Sequence, residues 1–339
     1  MHPYRGPYKV AVWDCETKQA ADNSQVDTLL FFPSQYQPFH IAFFGTRLTP
    51  LSPALPRLQS GILVRLYYPT QVSTRRASWL PRGPLYSIGY GNFLKLPTII
   101  SLLLLHPALA WIKTRGQLNA SLHPAGATSP PPAPALPTRL PVIIFSHGLG
   151  GTRTTYSTYC GDLASRGMVV VALEHRDGSA AVAARNGYAD SIKYRYPQAK
   201  DKPEGQPEDE YLMNYRREQL GIRVREVGEA VELVRALGAG VEVENLMGRF
   251  GGRFDPRSFA GRFDLDRLVM AGHSFGAATA LSSIQDPKTP FKCCLAHDPW
   301  MYAVDDRLVL CPVLSIQSEV PKQHHPHSPR SSNNPHYDS

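Results

Sequence analysis

A serine set between two glycines is the residue of this chain best suited to nucleophilic chemistry. The stretch "DRLVMAGHSFGAATAL", residues 266–281, runs from an apolar segment through a Gly-His-Ser-Phe-Gly turn into small residues that favour a helix. A Gly-x-Ser-x-Gly turn between a strand and a helix is so sharp that side chains would clash at the two glycine positions, which are Gly272 and Gly276. The turn holds Ser274 at a helix N-terminus, where the dipole favours developing negative charge. The pattern therefore predicts a serine nucleophile, against the alternative of a plain strand-to-helix turn.

Acyl transfer through a serine also needs two backbone N–H donors to stabilise the oxyanion. One donor belongs to the residue after the nucleophile, here Phe275, and the other to a loop that follows an earlier strand. The segment "HGLGG", residues 147–151, follows such a strand, and its glycines allow a backbone N–H to turn toward a ligand. We expect Leu149 to be the second donor; the alternative is a glycine-rich turn without a role.

A carboxylate and then a histidine follow the serine along the chain where a nucleophile turn of this kind is used. Asp298, in "CCLAHDPWMY", ends a short apolar stretch 24 positions after Ser274 and is the predicted acid. Asp305 and Asp306 are rivals, but a "DD" pair before "RLVL" is more typical of a solvated turn.

The elements that must position these residues alternate between strand and helix patterns. Val142 to Phe145 and Met168 to Leu173 are short apolar, β-branched runs of the kind buried on both faces of a parallel sheet. Apolar residues at spacings of four and three over 220–234 predict an amphipathic helix. "DRLVMAGHS" predicts a third strand, and "CPVLSIQSE" a fourth. The alternation predicts an α/β fold with a mostly parallel central sheet flanked by helices.

Composition suggests how the chain is divided. We expect the α/β domain to occupy residues 62–320, with a proline-rich surface connector at 123–141. Residues 1–61 form an N-terminal segment that we match only in part. Residues 321–339, "PKQHHPHSPRSSNNPHYDS", show neither a strand nor a helix period and are predicted to be a disordered tail.

The net charge of +8 is concentrated in the first part of the chain, because residues 1–120 carry 12 Lys and Arg against 4 Asp and Glu. The same part holds the most apolar segment, residues 96–111, which is too short to span a bilayer and contains His106 and Pro107. Its basic flanks leave two alternatives open, a buried helix or an interfacial helix on anionic lipid. Nucleic acid is not a predicted partner, because no basic stripe is interleaved with stacking aromatics.

The cysteines and the N-terminus bear on the cellular compartment. The chain lacks a Cys-x-x-Cys metal pattern and has too few cysteines for a disulfide framework, so we expect free thiols and no metal site. The cysteines are Cys15, Cys160, Cys293, Cys294 and Cys311. The first residues lack the pattern of a secretory signal. We expect a cytoplasmic protein, peripheral on membranes if the interfacial alternative holds.

Several blocks in the same order resemble the platelet-activating-factor acetylhydrolases, namely the plasma and intracellular type II group and its fungal relatives. The blocks are "GILVRLYYPTQ", "LPVIIFSHGLGGTRTTYSTYCGDLASRGMVVVALEHRDGSA", "RLVMAGHSFGAATAL" and "LAHDPWMY", within residues 62–318. The resemblance implies an α/β-hydrolase fold and an esterase without metal or cofactor. The substrate would be a glycerophospholipid with a short or oxidised acyl chain at the second position.

The same resemblance implies roles for individual residues. Ser274 matches the nucleophile, Asp298 the triad acid, and Leu149 and Phe275 the oxyanion donors. Residues 96–111 match the region by which such enzymes touch lipid surfaces.

The sequence departs from the family at the catalytic histidine, which lies in a Gly-x-x-His block farther past the acid than this sequence runs. We therefore expect a chain shortened before that histidine. Four histidines of the predicted tail are available as the base, although a histidine on a mobile tail would rarely be held within reach of Ser274. They are His324, His325, His327 and His336. We expect His147, His175, His273 and His297 to be structural or supporting. The alternatives to an esterase on phospholipids are a lipid-surface-binding protein without catalysis and an esterase for soluble substrates.

Overall fold

The computed structural model describes residues 4–18, 61–127, 135–247 and 254–318. Within these ranges the strands are β1 (Lys9–Glu16), β2 (Leu63–Thr70), β3 (Arg76–Ser78), β4 (Lys113–Leu118), β5 (Leu140–Ser146), β6 (Val169–Glu174), β7 (Val182–Arg185), β8 (Asp190–Lys193), β9 (Phe263–His273), β10 (Cys293–His297) and β11 (Val313–Ile316). The α-helices are α1 (Gly83–Phe93), α2 (Thr98–Ile100), α3 (His106–Ala110), α4 (Ser157–Ala164), α5 (Glu208–Gly238) and α6 (Phe275–Ser283). A π-helix, Ser101–Leu105, joins α2 to α3.

Nine of these strands form one sheet in the order β11-β10-β9-β5-β6-β2-β1-β4-β3, and β7 pairs with β8 in a small separate hairpin. Strands β6, β5, β9, β10 and β11 are all parallel to their neighbours in that run, whereas β2 is antiparallel to both β6 and β1. The strand and helix pattern predicted an α/β fold with a mostly parallel sheet between helical layers, which is confirmed, and the fold is the α/β hydrolase that the family resemblance implied.

Each face of the sheet packs on its own helices. One face forms a core with α5 and α6, in which Val227, Val234, Ala277 and Ala280 contact strand residues such as Met270. The other face packs against α4 through Cys160 and Ala164. The long helix α5 carries the apolar spacing found over residues 220–234 and extends it at both ends, to 31 residues.

The parallel strands place their carboxyl ends side by side. Ser146 at the end of β5 pairs with Gly272 of β9, and His273 pairs with His297 at the end of β10. The loops that follow these three strands carry Leu149, Ser274 and Asp298. Sheet register thus brings together three segments that are distant in sequence, at the edge where α/β folds bind ligands.

The structure shows pairing and burial at two of the segments that composition delimited. Strand β1 lies within the N-terminal segment 1–61, yet it pairs with β2 and β4 inside the main sheet. The predicted connector 123–141 ends inside β5, and both His123 and Leu136 are buried rather than exposed. Leu136 belongs to the hydrophobic core, and the His123 N–H donates to the Pro69 carbonyl of β2 at 2.9 Å. The predicted tail 321–339 lies outside the described residues.

The apolar segment 96–111 is helical and largely uncovered. Ile99, Leu103 and Leu104 are exposed, and the Trp111 side chain is 83% exposed. The alternative of a buried helix is therefore wrong, because no described element packs over this face. None of the helices in the described ranges combines the length and the apolar character needed to cross a membrane.

Candidate active site

Ser274 occupies the bend between β9 and α6 in a strained conformation. Its φ of 55° and ψ of −120° are rarely adopted by residues other than glycine. Hydrogen bonds hold the bend in place: the Ser274 N–H donates to the His297 carbonyl at 2.9 Å, and the Ser274 carbonyl accepts from the Trp300 N–H at 3.2 Å. Strain of this kind persists only where the surroundings impose it, and it clusters at functional sites.

The two glycines beside Ser274 are required by close backbone contacts. A Cβ on Gly272 would lie 2.1 Å from the Gly276 carbonyl oxygen, and a Cβ on Gly276 would lie 2.1 Å from the Ser146 carbonyl oxygen. The prediction that side chains would clash at both positions is confirmed.

The glycine-rich loop after β5 lies directly against this bend. A Cβ on Gly148 would be 3.3 Å from the Ser274 Cβ, and the side chain of Leu149 packs in a small cluster with Phe275 and Leu220. In the part of the chain that the structure describes, the backbone N–H groups of Leu149 and Phe275 donate to no acceptor. Two free N–H groups beside a serine hydroxyl are what an oxyanion hole requires.

A buried arginine from α5 fixes this loop. Arg223 donates through Nη1 to the His147 carbonyl at 2.6 Å and through Nε to Asp177 Oδ2 at 2.9 Å. Its guanidinium also lies 4.5 Å from the centre of the Phe275 ring. Asp177 in turn accepts from the N–H of Ser179, whose carbonyl accepts from the Gly150 N–H. One buried cation thus connects the two segments that carry the candidate oxyanion donors.

A second buried chain of hydrogen bonds runs beneath the same loop. Ser146 Oγ lies 2.7 Å from His175 Nε2, and His175 Nδ1 lies 2.6 Å from Glu226 Oε2. Burial raises the pKa of Glu226 to about 8, and the nearby Asp177 adds to the shift. Burial likewise holds the pKa of His175 well below its ordinary value. Glu226 and His175 are therefore both neutral near pH 7. The protonated Glu226 carboxyl donates a hydrogen bond to His175 Nδ1, and the His175 Nε2–H donates to Ser146 Oγ.

Asp298 follows β10 and is only partly covered. Its φ of 43° is in the left-handed region, and its N–H donates to the Ile316 carbonyl of β11 at 2.7 Å. Asp298 Oδ1 accepts from the backbone N–H of Ser318 and from Ser318 Oγ, the latter at 2.8 Å. The Ser318 N–H and hydroxyl lower the pKa of Asp298, with smaller contributions from His273 and His297. Asp298 is thus held as a carboxylate at the same edge as Ser274.

The rival Asp305 is a half-exposed surface residue. Its carboxylate pairs with Arg217 at 3.6 Å and with Arg307 at 3.1 Å, as expected of a solvated turn.

The histidines near the site are engaged by other groups. His273 Nδ1 lies 2.7 Å from the Tyr156 hydroxyl, and His297 Nε2 lies 2.8 Å from the Tyr159 hydroxyl. His147 is buried and contacts its own loop through the Gly148 carbonyl. Across residues 4–18, 61–127, 135–247 and 254–318, no histidine hydrogen-bonds to Asp298. The tail histidines at 324, 325, 327 and 336 lie outside those ranges.

Sequence reasoning did not single out Arg223, Glu226 or Asp177. A signal was present, because Gln219, Arg223 and Glu226 follow one another at spacings of four and three, as the apolar residues of the same helix do. Charged residues at the spacing of a buried face indicate a buried polar network.

The described residues contain no group of three His, Cys, Asp or Glu side chains arranged to hold a metal ion. All five cysteines are free thiols.

Comparison with known proteins gives consistent relatives. A family model described as platelet-activating factor acetylhydrolase, isoform II, matches residues 55–325. The platelet-activating factor acetylhydrolase of Canis lupus familiaris is 30% identical over 263 residues, covering 76% of this chain and 55% of that protein. A putative phospholipase A2 of Schizosaccharomyces pombe is 34% identical over 200 residues, covering 49% of this chain and 42% of that protein. The chain spans about half the length of the curated relatives it matches.

Among solved structures, a ferulic acid esterase from Streptomyces cinnamoneus aligns with 92% of this chain and 65% of that chain, at 18% identity and a TM-score of 0.48.

Proposed function

Because the chain belongs to the platelet-activating factor acetylhydrolase family, isoform II, we propose that it is a serine esterase that removes short or oxidised acyl groups from the second position of glycerophospholipids. The observation that carries the proposal is the meeting of Ser274, the loop of Leu149 and Asp298 at the carboxyl ends of three adjacent strands. Support comes also from the relatives, which are named as acetylhydrolases and as a putative phospholipase A2.

The proposed reaction is acyl transfer in two steps. The Ser274 oxygen attacks the ester carbonyl while a base takes its proton, and the N–H groups of Leu149 and Phe275 stabilise the oxyanion. The base then gives this proton to the leaving oxygen, and the alcohol released is the lysophospholipid. Water then releases the short acid from the acyl-serine, and Asp298 orients and stabilises the base.

We propose further that residues 96–111 rest on the membrane that supplies the substrate. This segment exposes the side chains of Ile99, Leu103, Leu104 and Trp111 to solvent. Exposed apolar residues with a tryptophan and basic flanking residues suit the interface of a bilayer rather than its interior.

Hydrolysis is tested with p-nitrophenyl acetate and with a phospholipid that carries an acetyl group at the second position. Ser274→Ala should lower the rate by roughly 10⁴- to 10⁶-fold, down to the background reaction. Ser282→Ala, a serine of the following helix, is the matched control and should keep full activity. Equal rates for the wild-type chain and Ser274→Ala would reject the esterase and leave a lipid-surface-binding protein.

Membrane contact is tested by sedimentation with phosphatidylcholine vesicles. The double variant Leu103→Asp, Leu104→Asp should lose most of the bound fraction. Leu308→Asp with Leu314→Asp changes two other exposed leucines and should bind as the wild type does. Unchanged binding by the first variant, with hydrolysis intact, would indicate an esterase for soluble substrates.

A further inference from the structure

A cavity of about 470 Å³ lies toward the β3 edge of the sheet, whereas the candidate active site lies toward the β11 edge. It is bordered by β1, β2, β3 and β4 and by the residues just before α1 and just after α3. None of the residues that carry the proposed hydrolysis lines it. Its size falls in the range of cavities that bind small organic molecules.

The lining of this cavity is strongly basic. Five cationic side chains line it, those of Arg65, Arg75, Arg76, Arg82 and Lys113, against a single carboxylate, that of Asp14. That carboxylate is already neutralised by cations, because it accepts from Arg65 at 2.7 Å and from Arg153 at 3.1 Å.

Two of the arginines have no partner within the described ranges. The structure gives the guanidinium groups of Arg75 and Arg76 neither a hydrogen bond nor an ion pair there. Lys113 donates to the neutral hydroxyl of Ser78 at 2.8 Å. Within the described ranges, no acid pairs with Arg75, Arg76 or Lys113, so these three side chains give the cavity positive charge that is not compensated there.

Backbone strain is concentrated at the same cavity. Seven residues other than glycine have positive φ in the described part of the chain, and three of them, Arg82, Asn119 and Tyr188, line the cavity. Ser274 and Asp298 are two of the other four. Asparagine tolerates this conformation, but arginine and tyrosine seldom adopt it, so the strain points to a site maintained for a function.

The chemistry of the lining selects the ligand. Guanidinium groups match the oxygens of phosphate in paired hydrogen bonds, and lysine adds a point charge. Trp13, Leu118 and Met247 give the cavity apolar walls beside this charge. An anion with an organic part attached satisfies both features.

The position of the cavity suggests where such an anion comes from. Arg82 directly precedes α1, and Lys113 comes two residues after the exposed Trp111, which ends the segment 96–111. The cavity is thus lined by residues from both ends of the helical stretch 83–110, which includes most of the segment that we propose to rest on the membrane.

We propose that this cavity is a second binding site, which takes a phosphate ester anion, either the headgroup of an anionic phospholipid or a soluble phosphate ester. The site is separate from Ser274 and does not depend on hydrolysis. Its expected effect is to anchor and orient the chain on phosphate-bearing lipid.

The test uses the full chain with the double variant Arg75→Gln, Arg76→Gln. Both side chains are exposed, so folding should be retained. Lys200→Gln with Lys288→Gln removes two exposed charges elsewhere and is the matched control. Sedimentation compares vesicles of phosphatidylcholine alone with vesicles that contain 20 mol% (~1 in 5) phosphatidic acid, because basic residues gain affinity near anionic lipid.

The added affinity for the anionic vesicles should fall roughly ten- to thirty-fold in the arginine variant and hold in the lysine control. Thermal unfolding with glycerol 3-phosphate at constant ionic strength distinguishes the two sources. A rise in Tm for the wild type but not for the arginine variant indicates a soluble ester, and an effect on vesicles alone indicates the headgroup.

Equal losses in the two double variants would show diffuse attraction and overturn the proposal. The absence of any response to either phosphate probe would overturn it as well. Neither result would bear on the esterase, because p-nitrophenyl acetate hydrolysis is measured without lipid.

Discussion

The two halves of the candidate active site are built in opposite ways. The half that holds Ser274 and the loop of Leu149 rests on buried, hydrogen-bonded polar side chains from α5 and the loop after β6, among them the Arg223–Asp177 ion pair. The half that holds Asp298 lies beside the edge strand β11, where Leu314 and Ile316 are exposed and the carboxylate is held by Ser318.

This difference predicts which substitutions lower the free energy of unfolding and which lower the rate of hydrolysis. A side chain that pairs with a charge in the interior contributes to the free energy of unfolding, because its removal leaves the partner charge buried and unpaired. An exposed carboxylate is already solvated, so its removal alters the reaction and leaves the fold in place. The same site should therefore respond to substitution in two distinct ways.

The largest expected effect tests the exposed half. Asp298→Asn should lower the rate of ester hydrolysis by about 10⁴-fold, because an amide does not stabilise a cationic base. The midpoint of urea denaturation should stay that of the wild type. Asp305→Asn changes a half-exposed acid seven positions along; it is the control and should leave both quantities unchanged. A large fall in the denaturation midpoint of Asp298→Asn would contradict the claim that this half of the site contributes little to the stability of the fold.

The next effect tests the buried half. Arg223→Met should lower the free energy of unfolding by about 3–5 kcal/mol, because Asp177 keeps a buried charge without its partner. Urea denaturation measures this loss. Arg225→Met, an exposed arginine on the same helix, should change stability by less than about 0.5 kcal/mol.

A double variant sharpens the result for Arg223. Asp177→Asn combined with Arg223→Met removes both charges and should be less destabilised than the sum of the two single variants. Additive losses would show that the two side chains act independently, contrary to the 2.9 Å contact between them.

The contrast between the halves also explains how much could be predicted from sequence. Ser274, Phe275 and the two glycines belong to one local motif, whose steric demands can be worked out from neighbours in the chain. The pairing of Arg223 with Asp177 depends on how α5 packs across the sheet, which no local pattern specifies.

The fold shows the same division between local and tertiary information. The four predicted strands are all present, and β5 begins two residues earlier than its apolar run. Segment 96–111 remained ambiguous because its hydropathy suits both a core and a membrane interface. Only the absence of a covering element among the described residues removes the buried alternative.

A smaller effect concerns the pH dependence of the buried half. Burial raises the pKa of Glu226 from an ordinary 4.5 to about 8. The protonated side chain therefore stabilises the fold fully below about pH 4.5, and this contribution is lost as the pH rises through 8. Asp177 adds to the shift, whereas Arg223 and Arg176 oppose it.

Glu226→Gln removes this titration and keeps the shape of the neutral side chain. Between pH 5 and 8 the wild type should lose up to about 1.4 kcal/mol per pH unit relative to this variant. Urea denaturation across that range measures the difference. The low pKa of His175 gives an opposite slope below about pH 6.5 in both proteins, so it cancels in the comparison. Parallel curves for the two proteins would show that Glu226 is ionised in the fold.

The smallest expected effect returns to the exposed half. Ser318→Ala removes one of the two groups that donate to Asp298, while the backbone N–H of residue 318 remains. The pKa of Asp298 should rise toward its ordinary value, and the hydrolysis rate at neutral pH should change by about twofold at most. Carbon-13 NMR titration of the Asp298 carboxyl measures the shift, with Ser315→Ala on β11 as the control. An unfolding transition that moves with Ser318→Ala would mean that the exposed half also supports the fold, and the two halves would then differ in degree rather than in kind.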